Sequence, residues 1–171
     1  MRRFLVTLVS AGVLTGVYVA PAGAADTRAE YIGLVDPICQ SFVPSENAAY
    51  RAYNKNAKRW DHFASHGTLK AWLNAARRTS HSLTRFTQID TSLNDQIAAV
   101  PPPQPDAGIV NAWLTYRRAA NTFTASAAVA LNKPIPQVDK YFKRVRQANE
   151  AFDGAQKVIA GFGFQVCQVS V

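Results

Sequence analysis

GFGFQVCQVSV, residues 161–171, closes the chain and carries Cys167, one of only two cysteines. Gly161 and Gly163 stop the last helical pattern, so Cys167 stands just beyond it. The other cysteine, Cys39, lies near the start of the first pattern. A disulfide needs α-carbons within about 7 Å. An even number of antiparallel helices brings the start of the first and the end of the last to the same end of a bundle. An odd number would hold them a helix length apart, about 30 Å for twenty residues. A Cys39–Cys167 pair therefore predicts an even count. Two buried free thiols or one reactive thiol are the alternatives.

Working inward from that tail, apolar residues recur at steps of three and four, and no period-two segment stands out. Val138, Tyr141, Val145, Ala148, Phe152, Ala155, Ile159 and Phe162 form one stripe, with Pro136 suited to its start. Ile109, Trp113, Tyr116, Ala120, Phe123, Ala127 and Ala130 form another, with Asp106 as its predicted cap. The run PPPQP (101–105) separates it from an earlier helix, because consecutive prolines cannot continue one. That earlier helix starts at Thr68 and carries Leu69, Trp72, Leu73, Ala76, Leu83 and Phe86. A break near Asp90 is expected, with Ser92 and Asp95 capping a further piece. The first pattern holds Ile32, Val35, Cys39, Phe42, Ala49, Tyr53, Ala57, Trp60 and Ala64. Pro37 and Pro44 interrupt it, so Asp36-Pro37 reads either as a cap and first turn or as a kink. A start at Thr27 would instead place Cys39 three turns inside the helix, and the tail would have to climb back to it. Sustained three-four spacing predicts an all-α fold: an antiparallel up-down four-helix bundle closed by one disulfide.

The first 24 residues read as an export signal. Met1-Arg2-Arg3 precedes an apolar run ended by Pro21, and Ala22-Gly23-Ala24 suits cleavage after Ala24 or Ala25. Gly12 and Gly16 interrupt the run and no stop-transfer charges follow, which argues against a retained membrane anchor. Residues 25–171 then form a single domain with seventeen basic and eleven acidic residues. Such a balance favours anionic partners. Export makes a disulfide permissible. It also separates the protein from nucleic acid, for which no binding motif is present.

Candidate chemistry is sparse. His62 and His66, four apart in WDHFASH (60–66), share a helix face and could hold a metal or haem iron, with Asp61 adjacent and His81 on the next helix. At a helix end the same histidines also suit the dipole and the free carbonyls. Trp60, Trp72, Trp113, Tyr53, Tyr116, Phe123, Phe142 and Phe152 would serve as core or as the walls of a small-ligand pocket. Basic residues cluster at Arg51, Lys55, Lys58 and Arg59, at Arg77 and Arg78, at Arg117 and Arg118, and at Lys140, Lys143, Arg144 and Arg146. Lys140, Lys143 and Arg144 are a candidate face for an anionic partner; Arg78 and Arg118 are expected to point outward. G-x-S-x-G, H-E-x-x-H and P-loop patterns are absent. Glu150 and Asp153 have Arg146 and Lys157 four residues away, as ordinary helix ion pairs do. No catalytic residue and no cofactor is predicted.

DPIC (36–39), PPP (101–103) ahead of a Trp-bearing helix, and GFQVC (163–167) together resemble a family of uncharacterised exported proteins found mostly in actinobacteria. The resemblance implies an extracytoplasmic helical bundle with Cys39 and Cys167 paired, and implies no active site. Many members look lipid-anchored. This chain has no lipobox cysteine, which points to a wall-released form, and it has Pro37 where alanine is commoner. The expectation is an exported, non-enzymatic binding module at the cell envelope. The alternative is a carrier of haem, metal or an apolar ligand.

Overall fold

The computed structural model describes residues 25–167; the expected export signal at 1–24 and residues 168–171 lie outside the described residues. Four helices account for most of it: α1 (Arg28–His66), α2 (Leu69–Ala98), α3 (Ala107–Leu131) and α4 (Val138–Ile159), with a single 3-10 turn at Gln104–Asp106 before α3. Among the described residues there is no strand. Contacts between neighbours run in opposite directions along the chain. Ser80 meets Ala128 while Asp90 meets Arg117. Phe123 meets Arg144 while Tyr116 covers Gly154. Tyr31 meets Phe162 while Tyr53 meets Tyr141. The helices therefore alternate up and down.

α1 runs unbroken for 39 residues with Pro37 and Pro44 inside it. It starts at Thr27, where a capping box operates: Thr27 Oγ1 accepts from the Glu30 N–H, and the Glu30 carboxylate accepts from the Thr27 N–H. Both prolines are exposed, as are Gly33 and Gln40, whose carbonyls lose their helical donors. Water can satisfy those carbonyls, so the helix passes through. The reading of Asp36-Pro37 as a helix start is thus corrected.

Cys39 sits three turns inside α1, and the tail does climb back to it. Gly161 and Gly163 adopt positive φ of 77° and 112°, turning the chain where a side chain would strain it. Phe162 and Phe164 then pack on Tyr31, and Phe164 on Trp113. Cys39 and Cys167 are joined, with α-carbons 5.3 Å apart.

Other expectations shift by a register step. α2 does not break near Asp90, because Asp90 is buried in an ion pair with Arg117 rather than ending a helix. The buried face of α3 follows Val110, Trp113, Leu114, Arg117, Ala120 and Asn121, which leaves Ile109 and Tyr116 exposed. Asp106 stands at the cap position of α3 but makes no cap bond; its carboxylate pairs with Arg28 instead. Leu69 continues the inward stripe of α2 yet is 71% exposed. Ser80 bonds the Ala128 carbonyl, three residues before α3 ends, whereas α2 runs eleven residues back from Ser80 to Leu69. At about 1.5 Å per residue, α2 outreaches α3 by about 12 Å. Nothing on α3 is left to cover Leu69.

Candidate functional site

Residues 47–89 span the hairpin formed by the second half of α1 and most of α2. They contain eight lysines and arginines, all three histidines and a single acid, Asp61. Arg51, Lys55, Lys58, Arg59, Lys70, Arg77, Arg78 and Arg85 are all exposed, and so are His62, His66 and His81. Arg51, Lys55 and Arg59 recur every four residues and so form one row on α1. Asn56 docks that helix against α2 by donating to the Arg78 carbonyl and to Ser82 Oγ. That seam brings the α1 row to the level of Arg77, Arg78 and Arg85 on α2. No ion pair to any of these side chains occurs among the described residues; both salt bridges found there lie elsewhere. The hairpin thus carries its cations on the exposed faces of both helices, with Trp60 on its buried side.

The aromatic cluster around Trp60 packs the hairpin against α4. Trp60 lies between Trp72 at 6.2 Å and Phe142 at 6.1 Å, with Tyr141 edge-on at 5.2 Å. The hydroxyls of Tyr53 and Tyr141 are 2.8 Å apart and share a hydrogen bond. Burial pushes the Tyr141 hydroxyl far above the usual tyrosine range, so it remains a neutral partner. These aromatics tie α1, α2 and α4 together.

The charges inside the bundle are of a different kind. Arg117 is 1% exposed and pairs with Asp90, also 1% exposed. Asn94 accepts from Arg117 Nε and donates to Asp90. The Arg117 guanidinium also lies over Trp113 and Phe152. Glu46 of α1 is buried beside this group, and its carboxyl is raised above the usual range by burial and then by Asp90, with Arg117 opposing. Arg117 thus belongs to the core rather than to a basic surface, while Arg78 and Arg118 are exposed as expected. The layer is shielded from solvent and suits the fixing of helix register better than reaction chemistry.

The sequence-predicted residues distribute as follows. The rings of His62 and His66 stack at 5.1 Å on the exposed face of α1. His81 instead shares a groove with Ser80, Thr84, Arg85, Gln88 and Asn132, so the three histidines do not converge. Among the described residues no three His, Cys, Asp or Glu side chains are placed to hold a metal ion. Lys140 and Lys143 are exposed on α4. Arg144 is half-buried, donating to Gln147 Oε1 at 2.8 Å with its guanidinium over Phe123. Glu150 and Asp153 are exposed on α4. An open groove of about 690 Å³ runs between α2 and α3, lined by Thr84, Thr87, Gln88, Thr91 and Asp95 and floored by Ala125.

Two features escaped the sequence reading. The charge segregation over 47–89 was legible as composition, but the clusters were read one by one. The role of Asp36 was not legible at all. Its carboxylate accepts from the backbone N–H groups of Gln165, Val166 and Cys167 at 2.8–3.2 Å, some 130 residues away. No family model, curated protein or solved structure matches the chain.

Proposed function

We propose that this protein is an exported, non-enzymatic binding module that docks on an anionic component of the cell envelope through its α1–α2 hairpin. The observation that carries the proposal is the segregation of charge: eight exposed cations and one acid over residues 47–89. Exposed Arg and Lys on two packed helices present a positive field to a polyanion, and guanidinium groups suit phosphate and carboxylate equally. The resemblance to exported actinobacterial proteins and the signal-like leader support the same location.

Co-sedimentation with isolated cell envelopes tests this reading. Arg51→Glu, Lys55→Glu and Arg78→Glu together should abolish a salt-sensitive association. The pair Lys140→Glu and Lys143→Glu on α4 should weaken it far less. Envelope binding that survives the hairpin triple, or that ignores salt, rules the reading out.

A further inference from the structure

The four most exposed large apolar side chains among the described residues are Ile135 at 80%, Leu69 at 71%, Val129 at 56% and Phe142 at 55%. All four belong to one end of the bundle. Leu69 opens α2 at the α1–α2 turn, and Val129 is in the last turn of α3. Ile135 lies in the α3–α4 connection, and Phe142 in the second turn of α4. At the opposite end the described apolar side chains are better covered: Leu34 and Ile109 reach only 40% and 39% exposure, and Phe162 and Phe164 of the tail are buried.

This end is an overhang. The α1–α2 hairpin outreaches α3 by about 12 Å, so the inward stripe of α2 emerges from cover. Leu73 and Phe63 are half-buried there and Leu69 is open. Cations stand beside three of the four: Lys70 follows Leu69, Lys133 precedes Ile135 by two, and Lys140 and Lys143 flank Phe142, with Arg59 in the last two turns of α1. Asp61 and Asp139 are the acids at this end.

Resting on the docking role proposed above, we infer that this overhanging end inserts into an anionic lipid surface. In this arrangement Leu69 and Ile135 enter the headgroup–acyl boundary and the surrounding lysines meet lipid phosphates. Exposed apolar side chains at helix ends and turns, with lysines nearby in the chain, suit an interface of that kind, where lysine stems bury along apolar surface and their heads reach the phosphates. They suit a protein partner poorly, since lysine is depleted from protein interfaces and isolated points bury little area. A second copy meeting tip to tip would set the two basic ends against each other.

Vesicle binding decides it, followed by flotation and by tryptophan fluorescence, in which Trp60 and Trp72 lie near the tip and Trp113 is a buried background. The lipid probe is phosphatidylcholine with a minority of phosphatidylglycerol, compared with phosphatidylcholine alone. Immobilised polyphosphate serves as a lipid-free polyanion. The wild-type chain should bind the mixed vesicles and not the neutral ones. Leu69→Ser with Ile135→Ser should weaken vesicle binding about tenfold or more, since each apolar side chain removed from water accounts for at least that factor. Its retention on polyphosphate should be unchanged, and helical circular dichroism should confirm folding, because both side chains are exposed. The hairpin triple Arg51→Glu, Lys55→Glu and Arg78→Glu should lose both. Several results would overturn the lipid inference: tip variants that bind vesicles like wild type, equal binding to neutral vesicles, or tip-dependent self-association in the ultracentrifuge. Binding to polyphosphate without vesicle binding removes the lipid inference and leaves the docking reading intact. Binding to neither removes both.

Discussion

Asp36 shows how one side chain can hold two distant parts of a chain. Its two oxygens accept three consecutive amide protons of the tail, from Gln165, Val166 and Cys167. Cys39 lies three residues on, the next position on the same helical face, so carboxylate and disulfide grip the tail side by side. The three amides follow a turn and have no helix to satisfy them, which is why a carboxylate rather than an apolar residue stands opposite. Asp36→Ala should cost about 1–3 kcal/mol, the range for a charged acceptor taken from backbone donors. A shift in urea midpoint at unchanged slope would measure it. Amide exchange at residues 165–167 should also accelerate, and unchanged exchange there would contradict the assignment. In sequence, Asp36-Pro37 reads as a cap or as a kink of its own helix, because those are local signals. A partner 130 positions away leaves no local signal to find.

At the scale of elements, periodicity gave the four helices and their order, while interruptions misled. Two prolines suggested a helix boundary near Pro37, and the decisive signal was the Thr27–Glu30 capping box ten residues earlier. Asp90 suggested a break, yet a buried Arg117 across the α2–α3 interface makes an interior acid tolerable. Leu69 belongs by spacing to the inward stripe of α2 but is exposed. Its exposure follows from unequal helix lengths, which periodicity does not report. The disulfide belongs to this scale as well, because it fixes the tail to α1 across a separation of 128 residues. Loop-closure entropy puts its loss at up to about 5 kcal/mol. Cys39→Ser with Cys167→Ser should therefore lower the urea midpoint more than Asp36→Ala does. The two changes should also be non-additive: once the staple is gone, Asp36→Ala should have little left to release. A double-mutant cycle that sums to zero coupling would show that carboxylate and disulfide act independently.

For the molecule as a whole, folding sharpens the charge that the sequence carries. Fifteen of the seventeen described Lys and Arg side chains are exposed, against seven of eleven Asp and Glu, so the surface is more one-sided than the composition. The acids withdrawn from the surface behave differently with pH. Arg28 holds Asp106 below the usual carboxylate range, first by hydrogen bonding. That contribution is present above the unfolded value and is lost as pH falls through the folded one. Glu46 has the opposite sign. Burial and Asp90 raise its folded value above the ordinary 4.5, outweighing Arg117. Its contribution is full below the unfolded value and is lost as pH rises through the folded one, because an ionised Glu46 is poorly solvated beside Asp90. Glu46→Gln keeps the shape and removes the titration. Thermal unfolding of the variant should match wild type most closely below pH 4.5 and exceed it progressively toward neutral pH. A difference in melting temperature that stays constant across that range would mean Glu46 is not the group responsible. Because Glu46 is buried and the proposed docking residues of α1 are exposed, any envelope binding should be unchanged in the same variant.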